Sequence, residues 1–309
     1  MRKIPVSISI LIMGLTAVLA YTAADCNPAK NSPREIDLTV RNVSYPLQDP
    51  GGNELATGHY QLRERRIRIP VDRAALILVD TWEISNPRKG EIRIFEDIIQ
   101  NRIKPVLSAA RENGMLILHA PHRHIDWSGK CLDPPLDLRG PASTPRDSLP
   151  PYVTPDRIGP DQWPPVEFVF RVGQYGQYAQ NSYPSYMPYT QILGLHPSLR
   201  PVKRDREFIE SNIRRIQEIF RENGILHLFY VGGATNQCIM NRPVGIRNMA
   251  SGGYNTIILR DATMALEMTD TWDTMPITKA AVREIEVNYG FSALSTELIE
   301  ALNGSKAKR

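Results

Sequence analysis

Residues 225 to 261 read ILHLFYVGGATNQCIMNRPVGIRNMASGGYNTIILRD, and this stretch decides the fold. Ile225 to Val231 is a short apolar run closed by glycines, as in a strand buried on both faces of a parallel sheet. A tight turn, Gly232-Gly233-Ala234-Thr235-Asn236-Gln237, leads to Cys238. Beyond it the apolar spacing is helical through Ile239, Pro243-Val244, Ile246, Met249 and Ala250. Ser251-Gly252-Gly253 ends that helix, with glycine supplying the C-terminal cap. Thr256 to Leu259 is the next buried strand, closing at Asp261. The unit is strand, turn, helix, strand, with one cysteine at the strand-to-helix corner.

A thiol at such a corner can react. Amides at a helix N-terminus and the positive end of its dipole favour the thiolate, and the same amides can hold an oxyanion. In an open parallel sheet the crevice outside the carboxyl ends of the strands takes the ligand. The alternative is a buried, inert cysteine that only packs.

Working outward, Ala74 to Val79 repeats the buried-strand pattern and ends on Asp80. A carboxylate there faces the crevice, or else caps the next segment. Ile94 to Asn113 is helical in spacing, with Pro105 as a kink or restart, and Gly114 ends it before the strand Met115 to Leu118. Arg-Glu-Asn-Gly occurs at 111–114 and again at 221–224, each time between a helix and an apolar strand. Helix and strand alternating in this way predict an α/β domain with a parallel sheet. Pro201-Val202-Lys203 reads as a short extended piece, and Arg206 to Asn223 as a helix. Ile277 to Tyr289, Phe291 to Leu294 and Thr296 to Leu302 read as helix, strand and helix.

Residues 72–303 form the expected domain. Residues 121–200 interrupt it with a segment rich in Pro and Tyr, a strand at Val166 to Phe170 included, and such a segment is a lid, a binding loop or a surface wrap. Residues 25–71 read as an N-terminal arm with a strand or two, Leu38-Thr39-Val40 among them, and 304–309 as a basic tail.

The composition is that of an ordinary globular chain: 309 residues, 42% hydrophobic and 23% charged. The net charge of +4 is small and scattered, which argues against a nucleic-acid partner. Three cysteines, Cys26, Cys131 and Cys238, are too few for a disulfide framework. Met1-Arg2-Lys3, the apolar Ile4 to Ala20 and Thr22-Ala23-Ala24 read as a signal peptide over residues 1–24, the alternative being a retained anchor, so export to the periplasm or medium is expected, with no membrane association beyond that segment.

Asp80, Lys203 and Cys238 converge in this layout. An acid, a cation and a thiol form a working nucleophile set, the lysine favouring the thiolate and the carboxylate moving a proton. The ordering resembles the isochorismatase-like cysteine hydrolases, over roughly residues 72 to 300. Gly232-Gly233-Ala234-Thr235-Asn236-Gln237-Cys238-Ile239 is similar to that family's nucleophile signature, and Gly253-Tyr254 and Arg260-Asp261-Ala262 to its continuation. Lys203 is the weaker match, with Phe208 only near the family's phenylalanine position.

The resemblance implies a three-layer α/β/α fold on a parallel, Rossmann-like sheet of about six strands, and a non-proline cis peptide between Gly233 and Ala234, with the Ala234 and Cys238 amides as oxyanion hole. It implies hydrolysis of a small amide or ureido C–N bond, with vinyl-ether hydrolysis as the catalytic alternative and a non-catalytic exported binding protein as the other. Trp82, His119, His122 and Asn236 are the candidate substrate contacts. His119-Ala120-Pro121-His122-Arg123-His124 carries Ala120 where nicotinamidases of the family carry a metal-binding aspartate, so neither a metal nor another cofactor is expected. The expected partners are a small-molecule substrate and further copies of the chain.

Overall fold

The computed structural model describes residues 34–44, 60–84, 91–132, 174 and 192–304. The segment expected to be a signal peptide, Cys26, the strand expected at Val166 to Phe170, the tyrosines of the insert and the last five residues of the tail lie outside the described residues. All elements below belong to the unit Pro33–Arg309.

In chain order they are β1 (Glu35–Ser44), β2 (Gln61–Pro70), β3 (Ala74–Val79), β4 (Trp82–Ile84), α1 (Glu91–Ile98) and α2 (Lys104–Glu112). Next come β5 (Leu116–Ala120), β6 (Ile192–Leu195), β7 (Glu207–Ile209), α3 (Ile213–Glu222) and β8 (His227–Gly233). The chain closes with α4 (Ile246–Ser251), β9 (Asn255–Met264), α5 (Pro276–Asn288), β10 (Phe291–Ala293) and α6 (Ser295–Gly304).

Eight strands form one sheet in the order β2-β1-β10-β9-β8-β3-β5-β7. The six from β10 to β7 are parallel, as the buried apolar runs predict. β3 lies at the centre with all six residues buried, paired to β8 on one side and β5 on the other. Two apolar cores cover its two faces. Leu76 and Leu78 pack with Ile103, Val106 and Leu107 on one. Ala75, Ile77 and Val79 pack with Ile216, Phe220 and Ile246 on the other.

The arm is part of this sheet. β1 and β2 pair antiparallel from Glu35↔Pro70 to Ser44↔Gln61, and Arg41 pairs with Ser292 of β10. Alternation explains it: Ile36, Leu38 and Val40 are buried, the residues between them less so.

Two helical readings need correction. Glu207–Ile209 is a strand beside β5, and the helix begins only at Ile213. Asn212 sets that start, its Oδ1 accepting the amides of Arg214 and Arg215, a cap that stabilises by about 1 kcal/mol. The helix expected from Cys238 to Ala250 is broken in two. Residues 235–239 make a π turn, Gly245 N–H bonds Arg242 O, and α4 starts at Ile246. Pro243 has no N–H to continue a helix through this point. A second π turn, Ile99–Ile103, precedes Pro105. It widens the helix where the proline ring would press on the carbonyl one turn back.

Candidate active site

The site lies at the carboxyl ends of β3, β5 and β8. β3 delivers Asp80, which is 5% exposed and has φ +48°. β8 ends in Gly232-Gly233, and the peptide to Ala234 is cis. Glycine is required at 232: its φ is +110°, and a Cβ there would lie 2.0 Å from Val79 O. The β3 and β8 backbones can therefore close together, which brings Asp80 to the turn carrying Cys238.

Asp80 Oδ1 accepts two hydrogen bonds, from His122 N and Arg242 Nη1, and has the His122 ring beside it. His122 N lies at 2.9 Å, His122 Nδ1 at 3.2 Å and Arg242 Nη1 at 3.2 Å. Oδ2 is buried and makes none of the well-formed bonds of its twin. The Cys238 thiol feels Asp80 through charge and a hydrogen bond. Its pKa is pushed up to about 12, first by burial and then by the Asp80 charge and that bond. The Arg242 charge and the Ala234 amide act in the opposite direction and are outweighed. The thiolate expected from a helix N-terminus is thus not the resting form. The helix dipole is replaced by a five-residue π turn, and the nearest full charge is negative.

The turn is anchored on the β9 side. Thr235 Oγ1 and Thr263 Oγ1 are 2.7 Å apart and buried, and Leu266 N donates to Asn236 Oδ1 at 3.1 Å. Asn236, expected to contact substrate, is therefore a latch on the segment after β9. Trp82 is 8% exposed and meets His122 edge-on at 4.9 Å, which puts both beside Asp80.

His119 and Lys203 are not brought to this site. His119 is fully buried in β5, with Nε2 at 2.9 Å from Glu207 Oε1. Burial lowers its pKa against the opposing pull of Glu207, and it belongs to a core network rather than to a substrate wall. Lys203 is exposed and stands ahead of β7, at the amino end of the sheet. Its neighbours fix that location: Arg204 bonds Arg111 O at the end of α2, and Arg206 bonds Asp72 O just before β3. The strand begins four residues after the lysine, so Glu210 follows the strand end in its place.

The cation at the site is Arg242. Besides Asp80, its Nη1 donates to Ala120 O at 2.7 Å and its Nη2 to Pro121 O at 2.9 Å. Arg242 lies one turn past the thiol, its amide bonding Cys238 O. That four-residue spacing is the sequence signal that could have found it.

Both described feet of the insert reach the same region. β6 pairs antiparallel with β4, Lys130 bridges to Gly194, and His196 N bonds Thr81 O. Among the described residues, no group of three or more His, Cys, Asp or Glu could hold a metal ion, and no helix is long and apolar enough to cross a membrane.

No family model matches the sequence, and no curated protein is similar to it. Solved structures of isochorismatase-family cysteine hydrolases match about three quarters of the chain. A cysteine hydrolase from Pseudomonas syringae pv. phaseolicola 1448A matches with TM-score 0.45 and 16% identity, over 77% of this chain and 95% of that one. An isochorismatase-like hydrolase from Alkaliphilus metalliredigens matches with TM-score 0.43 and 12% identity, over 74% and 98%. N-carbamoylsarcosine amidase from Thermoplasma acidophilum matches with TM-score 0.36 and 14% identity, over 72% and 96%. At such values no residue role is carried across, and the chemistry of the site is read from its own geometry.

Proposed function

We propose that the chain hydrolyses a small amide or ureido C–N bond with Cys238 as nucleophile and Asp80 as proton carrier. One observation carries this reading: the Asp80 carboxylate, the Cys238 thiol and the Ala234 amide meet at the carboxyl ends of adjacent central strands. The thiol proton passes to Asp80, and the sulfur attacks the carbonyl carbon. The amides of Ala234 and Cys238 receive the oxyanion. Asp80 returns the proton to the leaving nitrogen as the C–N bond breaks, leaving a thioester. Water then attacks the thioester and gives its proton to Asp80. That proton passes to the departing sulfur, and the acid leaves. A thiol at about 12 suits this sequence only if Asp80 takes its proton during attack.

The same raised thiol favours a second reading, vinyl-ether hydrolysis by Asp80 as acid with no role for the sulfur. A screen of amides, ureido compounds and isochorismate, run on wild type and Cys238→Ala, separates the two. Loss of about 10³-fold or more in amide turnover with an unchanged melt is expected for the thiol mechanism. Turnover near wild type on any confirmed substrate leaves the acid-only route.

A further inference from the structure

The family pattern called for a lysine beside the thiol, and the residue that sequence placed there sits at the far end of the sheet. We propose that Arg242 serves as the positioning cation of this site, holding Asp80 for Cys238. The inference rests on the hydrolase reading for its purpose but not for its test.

The geometry is that of a clamp. Arg242 Nη1 is shared between Asp80 Oδ1 and Ala120 O, and Nη2 takes Pro121 O. One guanidinium thus ties the ends of β3 and β5 to the turn that follows β8. A planar fork with several donors can do this, and a lysine ammonium has no equivalent reach to three acceptors in one plane. Arg242 and His122 N–H both sit on Oδ1, so the carboxylate cannot turn freely, and the buried Oδ2 is left without a hydrogen-bond partner among the described residues. The break before Pro243 helps place the guanidinium: the helix ends one turn after Cys238, and Arg242 O accepts the Gly245 amide. The side chain is 16% exposed, so its attraction to Asp80 is only partly screened. Among the described residues, Asp80 after β3, His122 after β5 and Arg242 beyond β8 are charged or titratable groups that meet at this site. Arg242 is the one among them that draws the thiol pKa downward.

The test is the rate of iodoacetamide labelling at Cys238 as a function of pH, followed by peptide mass spectrometry with Cys131 as internal reference. It needs no substrate. Wild type is compared with Arg242→Gln, Arg242→Lys and Lys203→Ala. Removing the cation leaves the Asp80 charge unopposed by a positive one at the thiol. The labelling curve of Arg242→Gln should therefore move to higher pH, about tenfold slower at a fixed pH on its rising limb for each unit moved. Arg242→Lys keeps the charge and should recover part of the difference, while Lys203→Ala should overlay wild type. A folded Arg242→Gln protein that labels like wild type overturns the proposal, as does Arg242→Lys labelling no better than Gln. If Arg242→Gln fails to fold, the comparison of Arg242→Lys with Lys203→Ala decides: a shift in the first alone supports the proposal, and a shift in the second alone overturns it. Wild type that turns over no amide while these labelling shifts hold would sink the hydrolase reading and leave the clamp standing.

Discussion

At the scale of single residues, Asp80 carries the most. Its φ of +48° is a conformation that few side chains adopt, and asparagine is one that does. Asp80→Asn should therefore keep the backbone and an oxygen for the His122 and Arg242 donors while losing the proton carrier and the charge that Arg242 faces. Amide turnover is expected to fall by about 10² or more with little change in the melting temperature. A large loss of stability, with full rate in the surviving folded fraction, would make Asp80 a cap for the segment after β3. Asp80, Cys238 and the glycines before it were legible because strand ends and glycine turns are local patterns. Arg242 had only its four-residue spacing from Cys238 to mark it, because its partners Ala120 and Pro121 are about 120 residues earlier and those contacts leave no periodic trace. His119 was misread for a related reason. A histidine at a strand end looks like a pocket residue until the Glu207 side chain is seen to reach its ring from the neighbouring strand, where Glu207 pairs with Ile117.

At the scale of elements, the sequence revealed the central strands and misjudged two boundaries. Phe208 and Ile209 fit a helical stripe leading into α3 as well as they fit a three-residue strand. Only pairing with β5 and the Asn212 cap distinguish the two. That slip alone carried Lys203 to the wrong end of the sheet. The hairpin of β1 and β2 was read as an arm because its outer strand is mostly polar. It nonetheless buries Ile36, Leu38, Val40 and Ile69, each 1% exposed or less. At about 1.5–3 kcal/mol per fully buried aliphatic side chain, their loss exceeds what most domains can spare. Deleting residues 33–70 should therefore give insoluble protein or a broad, non-cooperative melt. A cooperative melt near that of the intact chain would make the hairpin an accessory.

At the scale of the whole molecule, acid should weaken the fold through β7. Burial would raise the Glu207 carboxyl, but its hydrogen bonds to His119, Arg111 and the Val202 amide prevail and hold it at about 2 instead of 4.5. A depressed carboxyl stabilises above its unfolded pKa, and that contribution is lost as pH falls from 4.5 toward 2. His119, kept neutral by burial, acts in the same direction once pH drops below its ordinary 6.5. The melting temperature should fall between pH 6 and pH 2.5, and Glu207→Gln should show a flatter decline from a lower start. An equal slope in that variant would assign the acid sensitivity to other carboxyls. The other rim of the sheet has a different consequence. β2 is the outermost strand there, ten residues long, with Arg63, Arg65, Arg66 and Arg68 all exposed. A like strand from a second molecule would have to set arginine against arginine, so the rim resists growth into a longer ribbon. Copies of the chain that do associate should meet on another face. Strong brine shortens the range of this repulsion to about 3 Å near 1 M salt. Light scattering from a concentrated solution should then rise with added sodium chloride, the reverse of what an association held by ion pairs would show.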